Sequence, residues 1–134
     1  MKKILIVEDE LNTLNGLVEL FHQEGYCVFG ERSATGALHV SQANEIDILI
    51  SDYCIPDFSG IELVAELRRK NPYLQCFLMT AFMSREVQEK ALRMGVRRVF
   101  AKPLVIDDLL AAVAEPLPSG YVARAASGYA LSLF

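Results

Sequence analysis

Short apolar runs alternate with segments of helical periodicity along most of the chain, and this alternation constrains the fold more than any other feature. Each run is bounded by turn-forming residues and is too short for a buried helix, so it predicts a strand that is buried on both faces. Because each predicted strand is followed by a helix, the strands are expected to be parallel. The five predicted strands occupy residues 4–7, 26–29, 46–52, 76–80 and 99–102.

The predicted helices carry apolar residues three or four positions apart and have recognisable ends. Ser33 and Ser84 are expected to cap the second and fourth helices. Asp107 or Asp108 is expected to cap the fifth. The expected apolar faces consist of Leu14, Leu17, Val18 and Phe21, then Ala34, Ala37 and Leu38, then Ile61, Val64 and Leu67, then Val87 and Ala91, and finally Leu110 and Val113.

These units predict a doubly wound α/β fold, in which helices cover both faces of a five-stranded parallel sheet. The strand order 2-1-3-4-5 is expected by fold analogy, because the pattern itself gives only the alternation. In that order strands 1 and 3 are neighbours at the topological switch point. Ligands of such sheets bind there, outside the carboxyl ends of the strands.

The length of 134 residues suits one compact domain, which we assign to residues 1–116. Residues 117–134 contain a Pro-Ser-Gly stretch followed by a segment rich in Ala, Gly and Ser, and they are expected to form a linker or C-terminal tail. This segment is the root of a further domain, a natural tail or a cloning remnant, and it receives no predicted fold.

Charge and composition exclude several classes of protein. A net charge of −4 and a pI of about 5.2 do not favour direct contact with nucleic acid. No apolar run approaches the length of a membrane span, and the N-terminal residues do not form a signal peptide. The three cysteines, Cys27, Cys54 and Cys76, lack metal-ligand spacing and predict reduced thiols in a cytoplasmic protein.

Polar side chains follow four of the predicted strands. Strand 1 leads into Glu8 and Asp9, and strand 3 ends at Asp52. Strands 4 and 5 end at Thr80 and Lys102. In a parallel sheet all five lie at one edge, where the carboxylates repel one another unless a proton or a cation intervenes. Oxygen ligands suit Mg²⁺, and a lysine with a hydroxyl suits an oxyanion, so the set indicates transfer of a phosphoryl group onto Asp52.

Each of these residues has a plainer explanation when it is taken singly. On this explanation, Asp52 would only be a turn residue that ends a strand, and the acidic run 8–10 would be a solvated turn or the N-terminal charge of the first helix. Thr80 would be a strand residue or a helix cap, and Lys102 would be a surface residue. It is far less probable that all five residues meet at one edge by chance than that any one of them has its plainer explanation. The prediction therefore depends on the whole set.

Together with their spacing, these motifs resemble the bacterial two-component response-regulator receiver domain. The resemblance covers roughly residues 2–115. Its motifs are the apolar strand and acidic pair in residues 4–10, Asp52 with Pro56 and Gly60 after it, Thr80-Ala81 and Lys102-Pro103. The resemblance implies a flavodoxin-like fold and a phosphoacceptor that is not an enzyme, beyond self-catalysed phosphoryl transfer and dephosphorylation.

The resemblance also implies a magnesium site. Asp9 would bind Mg²⁺ directly and Glu8 through water. Asp52 would be a further ligand, and the backbone carbonyl of Cys54 would occupy the third protein-ligand position.

The remaining roles concern the phosphoryl group. Asp52 would receive it from the phosphohistidine of a sensor histidine kinase or a phosphotransfer protein. Lys102 would pair with the phosphoryl oxygens, and Thr80 would move towards them after transfer. The Lys102-Pro103 peptide bond is expected to be cis, as in the family.

Phosphorylation would change the surface formed by helix 4, strand 5 and helix 5, and so control an output domain or partner, with transcription regulation among the outputs. Contacts with proteins are expected, and contacts of this domain with nucleic acid or membrane are not. Self-association on phosphorylation stays open. Five basic residues near this surface form either a solvated face or a dimerisation or effector-docking face: Arg85, Lys90, Arg93, Arg97 and Arg98.

The chain departs from the family pattern at two places. The family usually has Tyr or Phe three residues before the lysine, where this chain has Val99, so either Phe100 substitutes or the coupling runs through Thr80 and its loop. The positions two after Asp52 and two after Thr80 are Cys54 and Phe82. Neither side chain orients water well, so we expect slow hydrolysis of the acyl phosphate.

Two other functions compete with this interpretation. A phosphorylation-independent interaction module is favoured only by the missing aromatic residue at Val99. A Mg²⁺-dependent phosphohydrolase would need a second carboxylate two residues after the nucleophile, where the chain has Cys54. A nucleotide-binding role fails because no glycine-rich loop follows strand 1.

Overall fold

A computed structural model of the protein describes residues 1–116, and the predicted tail at residues 117–134 lies outside the described residues. The elements in chain order are β1 (Lys3–Val7), α1 (Leu11–Gln23), β2 (Cys27–Glu31), α2 (Ala34–Ala43), β3 (Ile48–Asp52), β4 (Cys54–Ile55), β5 (Phe58–Ser59), α3 (Gly60–Lys70), β6 (Gln75–Thr80), α4 (Arg85–Arg93), β7 (Val96–Ala101) and α5 (Ile106–Ala114). In this described part, no helix is long and apolar enough to cross a lipid bilayer.

Five of the strands form one parallel sheet in the order β2-β1-β3-β6-β7. Since β6 and β7 are the fourth and fifth predicted strands, the predicted fold and order are confirmed. The central strand β3 is buried along its whole length, as its continuous apolar run predicts. The sequence did not reveal the two-residue strands β4 and β5, which form a small antiparallel hairpin between β3 and α3.

Helices pack on both faces of the sheet, because successive strand side chains point to opposite sides. One core contains Leu5, Val7, Leu49, Cys76 and Leu78 from the sheet, with Ala34, Ala37, Val64, Leu67 and Ala91 from α2, α3 and α4. The other contains Ile4, Ile6, Ile50, Phe77 and Met79, with Leu14, Leu17, Phe21, Leu109 and Val113 from α1 and α5. Cys76 is fully buried, and burial raises the pKa of its thiol to about 12.

Local hydrogen bonds explain where the helices begin. Ser33 and Ser84 cap α2 and α4, as predicted. Ser59 and Glu62 form an unpredicted capping box at α3, which begins directly after β5. The prediction that Asp107 or Asp108 caps α5 is wrong.

The helix α5 begins earlier than its acidic residues suggested. The N-cap position is Val105, which makes no side-chain cap hydrogen bond, and its carbonyl accepts from the backbone N–H of Asp108 at 3.1 Å. Asp107 and Asp108 therefore lie inside the first turn. Their charges still favour the helix there, because they face the positive end of its dipole.

Candidate functional site

A lysine bridges two buried carboxylates at the carboxyl edge of the sheet. Lys102, which directly follows β7, donates from Nζ to Glu8 Oε1 at 2.6 Å and to Asp52 Oδ2 at 2.7 Å. Glu8 is 1% exposed and Asp52 is 8% exposed. Residues from strands 1, 3 and 5 of the prediction therefore lie together, at the switch point between β1 and β3.

Asp9 completes an acidic cluster with these two residues. Carboxylate oxygens of Glu8, Asp9 and Asp52 lie within 4.8 Å of one another, and Asp9 alone of the three is exposed. One lysine does not neutralise three carboxylates, so the cluster keeps a net negative charge. An oxygen-only donor set with an open, solvated side is what Mg²⁺ prefers, and these residues fit that ion.

Hydrogen bonds and charge hold Lys102 in its protonated form. Burial alone lowers the pKa of Lys102, but hydrogen bonds to Asp52 and Glu8, together with the attraction of both carboxylates, outweigh it and raise the pKa above its ordinary value. The second oxygen of Glu8 accepts from the backbone N–H of Glu10 at 3.0 Å. Both oxygens of the buried Glu8 carboxylate are thus satisfied.

The backbone around Asp52 is closely packed. The backbone N–H of Gly60 donates to Tyr53 O at 2.7 Å, which brings the start of α3 against the end of β3. A Cβ at position 60 would lie 2.5 Å from the Asp52 carbonyl oxygen, so only glycine fits without displacing this backbone. The backbone N–H of Tyr53 in turn donates to Met79 O of the neighbouring strand β6.

Thr80 lies at the same edge, but its hydroxyl is engaged locally. The side chain is buried, and Oγ1 accepts from the backbone N–H of Phe82 at 3.1 Å. Within residues 1–116, its hydroxyl makes no hydrogen bond to Asp52 or Lys102. The Thr80 carbonyl accepts from the backbone N–H of Lys102 at 2.8 Å, which ties the two strand ends together.

The three consecutive acidic residues divide between two tasks. Glu8 belongs to the buried cluster, whereas Glu10 is the N-cap of α1 and accepts from the backbone N–H groups of Asn12 and Thr13. Those backbone hydrogen bonds, with one from the Thr13 hydroxyl, lower the pKa of Glu10. The plainer reading of the acidic run, a helix terminus, therefore applies to Glu10 and not to Glu8.

The residues around the expected aromatic position separate to the two faces of the sheet. Val99 packs against the core under α2, α3 and α4. Phe100 is buried in the opposite core, with its ring centroid 6.2 Å from that of Phe77. Phe100 does not share a face with Val99, which argues against its substituting for the missing ring. The Lys102-Pro103 bond is cis, as expected.

Sequence reasoning missed two residues that hold the loops of the site. Arg32 donates from Nε and Nη2 to the backbone carbonyl of Asp9. Asp57 accepts from Ala34 and Thr35 at the start of α2. Both contacts join residues more than twenty positions apart, and no local pattern marks them.

The comparisons with known proteins agree with this geometry. The family model described as the response regulator receiver domain matches residues 4–114, nearly all of the described chain. The chain belongs to this family. Receiver domains are the phosphoacceptor domains of two-component signalling.

Several named relatives are similar over most of the chain. Sporulation initiation phosphotransferase F of Bacillus subtilis is 31% identical over 117 residues, which are 87% of this chain and 94% of that protein. The transcriptional regulatory protein CusR of Escherichia coli is 31% identical over 88% of this chain but 52% of its own length. The transcriptional regulatory protein PdtaR of Mycobacterium tuberculosis is 30% identical over 84% of this chain and 55% of its own. This chain thus spans about half the length of these two regulators.

Solved receiver domains have the same fold. The receiver domain of the Francisella response regulator 1452 superposes with a TM-score of 0.78 at 25% identity, covering 84% of this chain and 93% of the other. The response regulator TrrA of Thermotoga maritima, determined in complex with Mg²⁺-BeF, superposes with a TM-score of 0.75 at 28% identity, over 84% of this chain and 96% of that one.

Proposed function

We propose that Asp52 receives a phosphoryl group from the phosphohistidine of a sensor histidine kinase or phosphotransfer protein in a Mg²⁺-dependent reaction. The observation that carries this proposal is the Lys102 ammonium between Glu8 and Asp52, with the exposed Asp9 carboxylate beside them. A nucleophilic carboxylate, a fixed cation and an acidic metal pocket are together what phosphoryl transfer to aspartate requires.

Asp52 would act as the nucleophile. One carboxylate oxygen attacks phosphorus, and the P–N bond to the partner's imidazole breaks as the P–O bond forms. The electron pair stays on the imidazole nitrogen, which then takes a proton from solvent. Mg²⁺ held by Asp9, Asp52, the Cys54 carbonyl and, through water, Glu8 would supply charge that offsets the phosphoryl oxygens.

Lys102 and Thr80 would respond to the new dianion. Lys102 already lies 2.7 Å from Asp52 Oδ2, and a phosphoryl group there gives its ammonium a more strongly charged acceptor. Within residues 1–116, Thr80 Oγ1 accepts one hydrogen bond, from the backbone N–H of Phe82 at 3.1 Å, and its O–H can still rotate to donate to the phosphoryl group. That rotation of the Thr80 side chain would change the conformation of the loop that leads into α4.

A groove beside the site offers an approach for the partner. It has a volume of about 510 Å³ and lies between α1 and the segment after β7, with Leu17, Leu20, Leu104 and Ile106 in its lining. Lys102, which donates to Asp52, also lines the groove, so one end of the groove adjoins the residue that contacts the proposed phosphoacceptor. We infer that the phosphohistidine-bearing partner packs here. Replacing Ile106 with Asp should slow transfer from the partner more than uptake from acetyl phosphate, and equal slowing would remove this inference.

The proposed output surface consists of α4, β7 and α5. Three of its five basic residues contact other residues of the chain: Arg85 pairs with Glu89, Arg97 donates to Gln75, and the Arg98 guanidinium lies over the Phe100 ring, 4.7 Å from its centroid. Arg93 and Arg98 are exposed and remain candidates for contact with an output partner or a second copy of the chain. Charge reversal at both should weaken phosphorylation-dependent association in sedimentation measurements, whereas the control Arg69→Glu, on α3 outside this surface, should not. Unchanged association would leave this face merely solvated.

We also infer a cytoplasmic location, since Cys27, Cys54 and Cys76 are all free thiols. Cell fractionation that recovered the protein outside the cytoplasm would contradict this inference.

Intact mass measurement after incubation with acetyl phosphate and Mg²⁺ tests the phosphoacceptor proposal. The wild-type chain should gain one phosphoryl group. Asp52→Asn should gain none, and Lys102→Ala should gain it far more slowly. Asp47→Asn is a matched control, because that carboxylate accepts from the Lys3 backbone at the far edge of the sheet. A folded wild-type chain that gains nothing would instead support a phosphorylation-independent interaction module.

A further inference from the structure

The turn between β2 and α2 contacts both loops that carry the proposed magnesium ligands, although it supplies no ligand itself. One loop, residues 8–10, carries Glu8 and Asp9. The other, residues 53–59, follows Asp52 and carries Cys54. Side chains and backbone groups of residues 32–35 hydrogen-bond to both loops. Within residues 1–116, no other segment makes hydrogen bonds to both of them.

Arg32 fixes the first loop through its backbone. Its guanidinium donates from Nε at 3.1 Å and from Nη2 at 3.0 Å to the same carbonyl oxygen, that of Asp9. Two donors in one rigid plane restrict that peptide more than a single flexible donor would. Because the carbonyl is held on the Arg32 side, the backbone from which the Asp9 carboxylate projects is also held.

Asp57 fixes the second loop through the first turn of α2. Its carboxylate accepts from the backbone N–H groups of Ala34 at 2.9 Å and Thr35 at 3.0 Å, and from the Thr35 hydroxyl at 2.5 Å. Asp57 lies three residues after Cys54. Its hydrogen bonds to Ala34 and Thr35 therefore hold the loop shortly beyond the Cys54 carbonyl, the proposed ligand. The N-terminus of α2 also has positive charge from its dipole, which strengthens the contact.

We propose that Arg32 and Asp57 are positioning residues for Mg²⁺, which hold the Asp9 and Cys54 loops at the spacing that the ion requires. Mg²⁺ tolerates little departure from octahedral geometry, so its affinity depends on how well its ligand loops are held. Partners outside the ligand shell commonly change metal affinity by roughly 10–100-fold. The proposal rests on the magnesium site proposed above and assigns new residues to it.

Calorimetric titration of the unphosphorylated chain with MgCl₂ tests the proposal without any phosphoryl transfer. Arg32→Ala and Asp57→Ala should each raise the Kd for Mg²⁺ by about tenfold, the low end of that range because both side chains are exposed. Thr35→Val removes one of the three Asp57 contacts and should have a smaller effect. Thermal unfolding without Mg²⁺ verifies that each variant is folded.

Ser33→Ala is the matched control. It removes the side-chain cap of α2, where Ser33 Oγ accepts from Gly36, but it touches neither ligand loop. If the effect came only from weakening α2, Ser33→Ala would lower Mg²⁺ affinity as much as Asp57→Ala. We expect instead that its affinity stays at the wild-type value while its stability falls.

Kinetics with acetyl phosphate give a second readout. In Arg32→Ala and Asp57→Ala the Mg²⁺ concentration for half-maximal phosphorylation should rise about tenfold, while the rate at saturating Mg²⁺ stays near that of wild type. Wild-type Mg²⁺ binding with unchanged Kd values in both variants would overturn this inference alone. A wild-type chain that binds no Mg²⁺ would overturn it together with the proposed metal dependence.

Discussion

Cys54 and Phe82 follow Asp52 and Thr80 by two positions each, and neither side chain offers a group that would hold an attacking water. Both side chains are exposed, Phe82 at 81%. We therefore expect the acyl phosphate on Asp52 to hydrolyse slowly. Replacing both, as Cys54→Asn with Phe82→Glu, should shorten its half-life by at least about tenfold, below the ~10²–10⁴ that a fully placed general base gives.

Loss of the phosphoryl group after removal of acetyl phosphate, followed by intact mass, measures this half-life. Cys27→Asn serves as the control for a thiol replaced away from the site. A wild-type half-life no longer than that of the double variant would count against slow hydrolysis as a property of these two residues.

The stability contributed by Asp57 should depend on pH in a defined window. The Thr35 hydroxyl, followed by the backbone N–H groups of Ala34 and Thr35, lowers the pKa of Asp57 from 3.8 to about 2. Because the folded-state pKa lies below the unfolded one, the contribution is complete above about pH 4 and is lost as pH falls towards about 2. The stability difference between wild type and Asp57→Ala should therefore narrow over that range.

Urea unfolding of both proteins at about pH 5.5 and about pH 2.5 measures the narrowing. Asp47→Ala is the control, since it is an exposed carboxylate with one backbone contact. If the free energy of unfolding of wild type exceeded that of Asp57→Ala by the same amount at both pH values, the contacts of Asp57 with α2 would not depend on the ionised carboxylate.

At the scale of single residues, the sequence indicated which residue types meet at the edge but not how they divide their contacts. Asp52, Lys102 and Glu8 could be placed together because each directly ends or follows a predicted strand. The different environments of Glu8 and Glu10 could not be predicted, since they depend on Lys102, which is 94 positions from Glu8. The roles of Arg32 and Asp57 could not be predicted for the same reason, because tertiary packing sets their contacts.

At the scale of the elements, the junction of β3 and α3 leaves no space for a side chain at Gly60. A Cβ there would meet the Asp52 carbonyl at 2.5 Å and the Tyr53 Cα at 3.1 Å, and both are backbone atoms that cannot rotate away. Gly60→Ala should cost about 1–3 kcal/mol of unfolding free energy. It should also slow phosphoryl uptake, because the strain falls on the backbone of Asp52, the proposed acceptor.

Gly16 provides the matched substitution. It lies inside α1, and a Cβ added there would meet nothing within 4 Å, so Gly16→Ala should stabilise the chain by about 0.5–1 kcal/mol. Urea unfolding measures both effects. Gly60→Ala with wild-type stability and wild-type uptake would contradict the packing described for this junction.

Element types were predictable because strand and helix periods differ clearly in this chain, and the apolar strands β1, β3 and β6 needed no further information. The boundaries of the elements were less predictable than their types. The edge strand β7 begins at Val96, three residues before its predicted start, because the charged side chains of Arg97 and Arg98 hide the strand from an apolar-run criterion. The β4-β5 hairpin is too short to produce any period.

At the scale of the whole molecule, the core under α1 and α5 extends to Val113 in α5, near the end of the described residues. We therefore expect a chain ended after Pro116 to unfold at the same temperature as the full chain, within about 2 °C, and to accept a phosphoryl group at the same rate. Calorimetry and mass measurement compare the two. A clearly lower unfolding temperature for the shorter chain would mean that residues 117–134 belong to the folded domain.

The position of the phosphoryl group is the most direct test of the central claim that Asp52 is the acceptor. Borohydride reduces an aspartyl phosphate to homoserine, so peptide mapping after treatment with acetyl phosphate, Mg²⁺ and borohydride reports the modified residue. The structure predicts homoserine at position 52 only, and none in a Lys102→Ala sample taken at the same early time. Homoserine at position 9 or 57, or at no position in a folded wild-type chain, would contradict it.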